Sequence, residues 1–314
     1  MKSPIPFCSR LTSNEQLLWI DKLSNLLPEE TIRPCSELSD LERHAADFAI
    51  VANPDPKELL TLPNLIWVQS VWAGVERMLE ELPNVSFNIA RMVDPNLSKT
   101  MSEAVLSWVL YLHRDMPAYL KQQQKAEWHQ HFVAQPEEVQ IGVLGLGELG
   151  QVCAKRLKGN YFRVSGWSRS QKELEGIECY SGEEGLDSIL SQSDIIVILL
   201  PSTPSTKELI NLETVKKMKP GAQIINFGRG PIIDEDALLY GLNTGLIKHA
   251  VLDVFNREPL PRSHAFWTYP SITVLPHISA PTNPDTASVI VANNIRAYRN
   301  LNMLPECVDV KKGY

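Results

Sequence analysis

Residues 145–150 read GLGELG, which places Gly145, Gly147 and Gly150 at GxGxxG spacing. An apolar run ending at Leu144 precedes them and a helical pattern over Glu148–Leu157 follows. In that setting the spacing is a dinucleotide turn. The first glycine permits a tight turn, the second lets a pyrophosphate approach the backbone, and the third lets the helix pack closely on the strand. The helix N-terminus adds free N–H groups and a positive dipole for the phosphates. Glu148 and Leu149 fill the variable positions of the turn and belong to the same candidate site. In the next strand, Arg163–Trp167, the place where an NAD site puts a carboxylate for the ribose 2′-hydroxyl holds Ser168, followed by Arg169 and Ser170. A carboxylate would repel a 2′-phosphate, whereas hydroxyls and a guanidinium hydrogen-bond it with charge assistance, so NADP(H) is expected over NAD(H). His277, in PHIS, is suited to proton transfer near neutral pH, although a single histidine in such a stretch is more often structural than catalytic. The other histidines, His44, His113, His129, His131, His249 and His264, lack metal-ligand spacing with Cys or carboxylate, and no metal is expected.

These residues need elements to position them. Short apolar runs alternate with helical patterns through the first hundred residues: Ile5–Cys8, Glu15–Leu27, Phe48–Val51, Pro56–Leu62, Leu65–Val68, Val75–Leu82 and Val85–Ala90. That alternation predicts a parallel sheet. Thr100 and Glu103 form a capping-box pattern before apolar residues three or four apart, so a long amphipathic helix is expected to start there. After a polar stretch through Pro136, a second alternation runs through Gln140–Leu144, Arg163–Trp167, Asp194–Leu200, Ala222–Phe227, His249–Val254 and Ser271–Leu275, and closes with a helix over Asp285–Asn302. Strands this short and apolar suit a sheet covered on both faces.

Three segments, Ile224–Pro261 (IINFGRGPIIDEDALLYGLNTGLIKHAVLDVFNREPLP), Thr273–Ala280 (TVLPHISA) and Ile198–Thr206 (ILLPSTPST), resemble the D-2-hydroxyacid dehydrogenase family. The LDVFNREPLP wording, the WSRS turn and WAGVERML are most similar to the bacterial glyoxylate/hydroxypyruvate reductases of the A type. The resemblance implies an α/β fold of two Rossmann-like parallel-sheet domains, one flavodoxin-like and one dinucleotide-binding, with an active-site cleft between them. It implies a discontinuous substrate domain over 1–100 and 286–314 around an NADP-binding Rossmann domain over 101–285. Arg229, Glu258 and His277 fall on the family's catalytic positions. Reduction of a 2-oxo acid needs a cation for the substrate carboxylate and carbonyl, which Arg229 supplies, and a proton donor for the developing alkoxide, which His277 supplies while Glu258 orients it. By the same resemblance Pro201, Thr206, Phe227, Gly228, Asp253 and Ala280 contribute to the cofactor site, with Asp253 on the nicotinamide carboxamide. Trp72, Ala73, Gly74 and Val75 resemble the loop whose N–H groups grip the substrate carboxylate, with the Trp72 indole leaving room for a small acid only. Phe227–Gly228 departs from the family, in which a small aliphatic residue or Thr followed by Ala is commoner.

The expected activity is NADPH-dependent reduction of glyoxylate to glycolate and of hydroxypyruvate to D-glycerate. The alternatives are a reductase for another short 2-oxo acid and a cofactor-sensing binding protein on the same fold. A phosphoglycerate-type dehydrogenase usually carries extra regulatory sequence, for which 314 residues leave no room, and formate dehydrogenases carry Gln where this chain has Glu258. A net charge of −7 disfavours nucleic acid as a partner. The longest wholly apolar run, Ile195–Leu200, is far short of a membrane span. Five cysteines without a CxxC pair read as free thiols, and with no apolar leader after Lys2 the expected location is cytoplasmic. Family members of this kind are usually homodimers built through the cofactor domain, and the same is expected here.

Overall fold

The computed structural model describes residues 3–82 and 86–309. The chain falls into two compact units, Met1–Asn96 with Thr282–Tyr314, and Leu97–Pro281. In the first, β1 (Ile5–Ser9), β2 (Ile32–Pro34), β3 (Phe48–Ala52), β4 (Trp67–Ser70) and β5 (Asn88–Ala90) form a sheet in the order β2-β1-β3-β4-β5. In the second, β6 (Gln140–Leu144), β7 (Arg163–Trp167), β8 (Glu178–Tyr180), β9 (Ile195–Ile198), β10 (Ala222–Asn226), β11 (Ile247–Leu252) and β12 (Ile272–Val274) are ordered β12-β11-β10-β9-β6-β7-β8. Every strand pair is parallel. The first order is the flavodoxin type and the second the dinucleotide type, so the expected pair of α/β domains is the observed one.

Both sheets are buried on both faces. Successive residues of β9 serve opposite cores: Ile196 and Ile198 pack with helices Gly182–Gln192 and Glu235–Thr244, Ile195 and Val197 with helices Pro95–His113 and Glu148–Gly159. In β3, Phe48, Ile50 and Ala52 face one core while Ala49 and Val51 face the other. This is why the strands read as continuous apolar runs without alternation. The C-terminal helix Pro284–Leu301 lies on the first sheet. Asn294 donates to Gln69 of β4 at 2.8 Å, Thr286 donates to Asp94 at 2.6 Å, and the Val308 N–H donates to Ile89 of β5 at 2.7 Å.

Four local expectations change. The helix expected to begin at Thr100 begins at Pro95, because the Asp94 carboxylate accepts the Asn96 N–H at 2.8 Å and Pro95 has no N–H to lose. Thr100 and Glu103 therefore lie inside the helix. The polar stretch before Pro136 contains a helix, Met116–Lys125, built from Lys and Gln with Pro117 in its first turn. The edge strands β2 and β8, three residues each, were not visible as apolar runs. Of the strand expected over Val85–Ala90, Val85 lies outside the described residues, and β5 starts at Asn88. Among the described residues no helix is long and apolar enough to cross a membrane and no cluster of three metal-ligating side chains occurs.

Candidate active site

Within the Leu97–Pro281 unit, every residue singled out from the sequence except Glu258 lies in the connection leaving the carboxyl end of a strand: Gly145–Gly150 after β6, Ser168–Ser170 after β7, Pro201 and Thr206 after β9, Phe227–Arg229 after β10, Asp253 after β11, His277 and Ala280 after β12. Glu258 follows farther along the β11 connection. Parallel α/β sheets place ligands at that edge because strand ends and helix N-termini converge there.

The glycine turn is shaped by three different constraints. Gly145 has φ +109°, its N–H donates to Trp167 at 2.8 Å, and a Cβ on it would lie 2.8 Å from the Leu199 carbonyl oxygen. A Cβ on Gly150 would lie 1.7 Å from the Gly145 carbonyl oxygen, so helix Glu148–Gly159 can approach β6 only with glycine there. A Cβ on Gly147 would meet nothing within 4 Å. Gly147 caps a helix whose first N–H groups, on Glu148, Leu149 and Gly150, have no intrahelical acceptor and no capping side chain. The open side of the turn thus presents N–H groups and helix dipole to a space that a dinucleotide phosphate fits.

Arg229, Glu258 and His277 come together. His277 Nδ1 lies 2.7 Å from Glu258 Oε2, and the other oxygen of Glu258 accepts the Phe255 N–H at 2.9 Å. The hydrogen bond to Glu258 raises the imidazole pKa, more than burial lowers it, and the charges of Glu258 and Asp253 add to the rise while Arg229 opposes it. Burial pushes the Glu258 carboxyl up, but its bonds to His277 and the Phe255 N–H and the charges of His277 and Arg229 carry it below its ordinary value. The pair is therefore poised as imidazolium and carboxylate. With Nδ1 held on Glu258, Nε2 is the nitrogen left to exchange a proton. His277 has φ +56°, a left-handed conformation costing about 1 kcal/mol in a residue with a Cβ. Arg229 turns its Nη1 onto the Gly228 carbonyl at 2.7 Å. A Cβ on Gly228 would lie 2.6 Å from the Leu200 carbonyl oxygen, which explains why the loop cannot carry the commoner alanine in this backbone.

The family model for the D-isomer specific 2-hydroxyacid dehydrogenase NAD binding domain matches residues 106–279. The chain is 35% identical over 303 residues, 94% of its length and 96% of the relative's, to glyoxylate/hydroxypyruvate reductase A of Serratia proteamaculans. It belongs to the D-isomer specific 2-hydroxyacid dehydrogenase family. This dehydrogenase is also similar throughout its length to two solved structures. One is a D-isomer specific 2-hydroxyacid dehydrogenase of Xanthobacter autotrophicus in complex with NADPH and MES, with TM-score 0.93, 34% identity and all of both chains covered. The other is an NADPH-dependent glyoxylate/hydroxypyruvate reductase of Sinorhizobium meliloti in complex with NADP and sulfate, with TM-score 0.91, 31% identity and all of both chains covered. The dehydrogenase is accordingly an NAD(P)-dependent oxidoreductase.

Ser168 is buried and closes its own turn, its hydroxyl donating to Ser170 O at 2.7 Å, while Arg169 and Ser170 are exposed. Thr206 spends its hydroxyl hydrogen on Pro201 O at 2.6 Å and accepts the Thr203 N–H, so it shapes the loop after β9. Phe227 is buried in the core and Ala280 packs against it. The carboxylate of Asp253 accepts the N–H groups of Ile278 at 2.7 Å and Ser279 at 2.9 Å.

In the other unit, Trp72 is half-buried against the core. Its N–H, expected to face substrate, is instead taken by Ser70 Oγ at 3.0 Å, and that hydroxyl also bonds Trp72 O. Among the described residues no acceptor takes the N–H groups of Ala73, Gly74 and Val75. Ser70, Asn226 and Gly230 were not found from the sequence. A Cβ on Gly230 would lie 2.0 Å from the Phe255 carbonyl carbon, so glycine there lets the Arg229 loop meet the loop that carries Glu258. Asn226 and Gly230 both lie in the Ile224–Pro261 motif, Gly230 directly after Arg229.

Proposed function

We propose that this dehydrogenase reduces small 2-oxo acids with NADPH, glyoxylate to glycolate and hydroxypyruvate to D-glycerate, using Arg229, Glu258 and His277. The observation that carries the reading is the His277–Glu258 pair at 2.7 Å, with its imidazole pKa raised, beside Arg229. NADPH, when bound, supplies the hydride. The N–H groups opening helix Glu148–Gly159 hold its pyrophosphate, and Ser168, Arg169 and Ser170 receive its 2′-phosphate in place of the carboxylate that would select NADH. The Arg229 guanidinium takes the substrate carboxylate. Arg229 also stabilises charge growing on the carbonyl oxygen, and His277 delivers the proton from Nε2 while Glu258 keeps the imidazolium in place. Trp72 limits the pocket to short acids.

The naming of the relatives as glyoxylate/hydroxypyruvate reductases and the NADP(H) in two related structures support the same substrates and cofactor. All five cysteines are unpaired, which supports a reducing cytoplasm as the location. A homodimer through the Leu97–Pro281 unit is supported by the almost fully exposed Trp128 and Phe132 on that unit. The deciding experiment is a steady-state panel of glyoxylate, hydroxypyruvate, pyruvate and longer 2-oxo acids with NADPH and NADH. Highest kcat/KM is expected for glyoxylate or hydroxypyruvate with NADPH. Absence of NADPH oxidation with every acid would instead favour a cofactor-sensing binding protein.

A further inference from the structure

Two buried polar side chains stand directly behind the reacting groups without belonging to them. Asn226, the last residue of β10, is 1% exposed, and Asp253, the first residue after β11, is 2% exposed. Each closes a loop with two hydrogen bonds to backbone. Asn226 donates from Nδ2 to Arg229 O at 2.9 Å and accepts the Gly228 N–H on Oδ1 at 3.1 Å. Asp253 accepts the Ile278 and Ser279 N–H groups, one on each oxygen. The two are joined, because the Asp253 N–H donates to Asn226 O at 3.1 Å across neighbouring strands.

Burying an amide and a carboxylate is unfavourable unless their bonds are completed, and here every one of these bonds is made to a segment carrying a reacting side chain. The loop after β10 bends through Gly228 to present Arg229. The loop after β12 holds His277 at φ +56°, a conformation with a standing cost that the following two N–H bonds to Asp253 offset. A carboxylate is the group suited to that place, since it accepts two N–H groups with charge assistance and has no hydrogen to oppose either.

We infer that Asn226 and Asp253 are a joined pair of positioning residues, Asn226 setting Arg229 against the substrate carboxylate and Asp253 setting His277 on Glu258. The inference rests on the catalytic reading proposed above. It gives Asp253 a task separate from any contact with the nicotinamide carboxamide. The two tasks are distinguishable, because holding His277 governs proton delivery and contact with the carboxamide governs cofactor affinity.

The experiment uses the full-length enzyme with NADPH and glyoxylate, and compares D253N, N226D, H277A and the double variant D253N/H277A. D253N puts an amide N–H against a backbone N–H. It is expected to lower kcat at saturating NADPH on the order of a hundredfold, as a small displacement of a reacting group does, whatever change in NADPH Kd fluorescence titration shows from loss of the carboxamide contact. The high-pH fall of kcat should move to lower pH in D253N, because His277 loses both its seat on Glu258 and the nearby Asp253 charge. In the H277A background D253N should cost nothing more, since a residue acting through another is silent once that other is gone.

N226D keeps the acceptor for Gly228 but sets a carboxylate oxygen against Arg229 O. It should raise the glyoxylate KM about tenfold with a smaller effect on the pH profile. If circular dichroism shows that D253N does not fold, D253E keeps the charge but displaces both oxygens, and the same shift in pH profile is expected from it. An unchanged kcat and pH profile in D253N, a raised NADPH Kd as its sole effect, or an equal further loss in H277A would overturn the inference for Asp253. An unchanged glyoxylate KM in N226D would overturn it for Asn226. Wild-type kcat in H277A would instead bring down the catalytic reading, and this inference with it.

Discussion

The seven-stranded sheet treats its two sides differently. On the β6–β7 side, recognition is assigned to backbone and to a short exposed turn. Gly145 and Gly150 are fixed by steric contact, Ser168 closes its own turn, and Arg169 and Ser170 reach outward. On the β10–β12 side, reacting side chains are braced from behind. Glu258 is held by Phe255 and His277, the His277 loop by Asp253, and the Arg229 loop by Asn226. The difference follows from what each side must do. A phosphate is bound by charge and N–H groups over a broad range of geometry, whereas proton transfer and carbonyl polarisation decay with displacements well under an ångström.

Substitutions on the braced side should therefore cost most. R229A removes the cation assigned both to the substrate carboxylate and to the growing oxyanion, so glyoxylate kcat/KM should fall by about a thousandfold, with kcat and KM both affected. A change confined to KM would restrict Arg229 to binding. E258Q should lower kcat by about tenfold to a hundredfold, part of what a positioned acid supplies. Its sharper signature is in the pH profile. With His277 as the proposed acid, reduction needs it protonated, and its raised pKa carries the protonated form to higher pH than an ordinary imidazole, so wild-type kcat should be flat at low pH and fall as pH rises through that value. Removing the carboxylate removes the main cause of the rise, and the fall should shift to lower pH. An unshifted fall would separate the titrating acid from the His277–Glu258 pair.

The same contrast explains what could be read from sequence. The paired parallel sheets were legible because β1, β3, β6, β9 and β10 are buried on both faces and therefore mostly apolar, β3 and β9 at every position. β2 and β8 were not, because three-residue edge strands with partly exposed faces carry no such run. The glycine turn was legible because its spacing is local to one strand–helix junction, although only Gly150 is confined within the turn, by the Gly145 carbonyl, while Gly145 is confined by Leu199 and Gly147 is open. Arg229, Glu258 and His277 were legible through motifs, but their bracing was not. Asn226 bonds a residue three positions on and reads in sequence as an ordinary strand-end polar residue, while Asp253, read as a cofactor contact, bonds residues 25 and 26 positions away that its own motif does not reveal. Ser70 escaped for the same reason, with a hydroxyl that takes the very N–H on Trp72 that a linear reading assigns to substrate.

The smallest effect is expected on the recognition side, and it is the one that tests the division directly. Arg169 is exposed at the end of β7, with no carboxylate at Ser168 to exclude a 2′-phosphate. Truncation by R169A removes one charge-assisted contact, which corresponds to about tenfold to a hundredfold in NADPH kcat/KM. NADH lacks the phosphate, so its kcat/KM should stay near wild type, and the loss should appear as a reduced NADPH/NADH ratio carried by the cofactor KM. If Arg169 serves cofactor recognition alone, kcat at saturating NADPH and the pH profile should not move. Raising the salt concentration should mimic part of the substitution in wild type and have less effect in R169A, since an exposed ion pair is screened in a way that the buried bonds of Asn226 and Asp253 are not. A fall in kcat with both cofactors would mean that the β7 turn is coupled to the reacting groups, and that the two sides of the sheet do not divide recognition from chemistry.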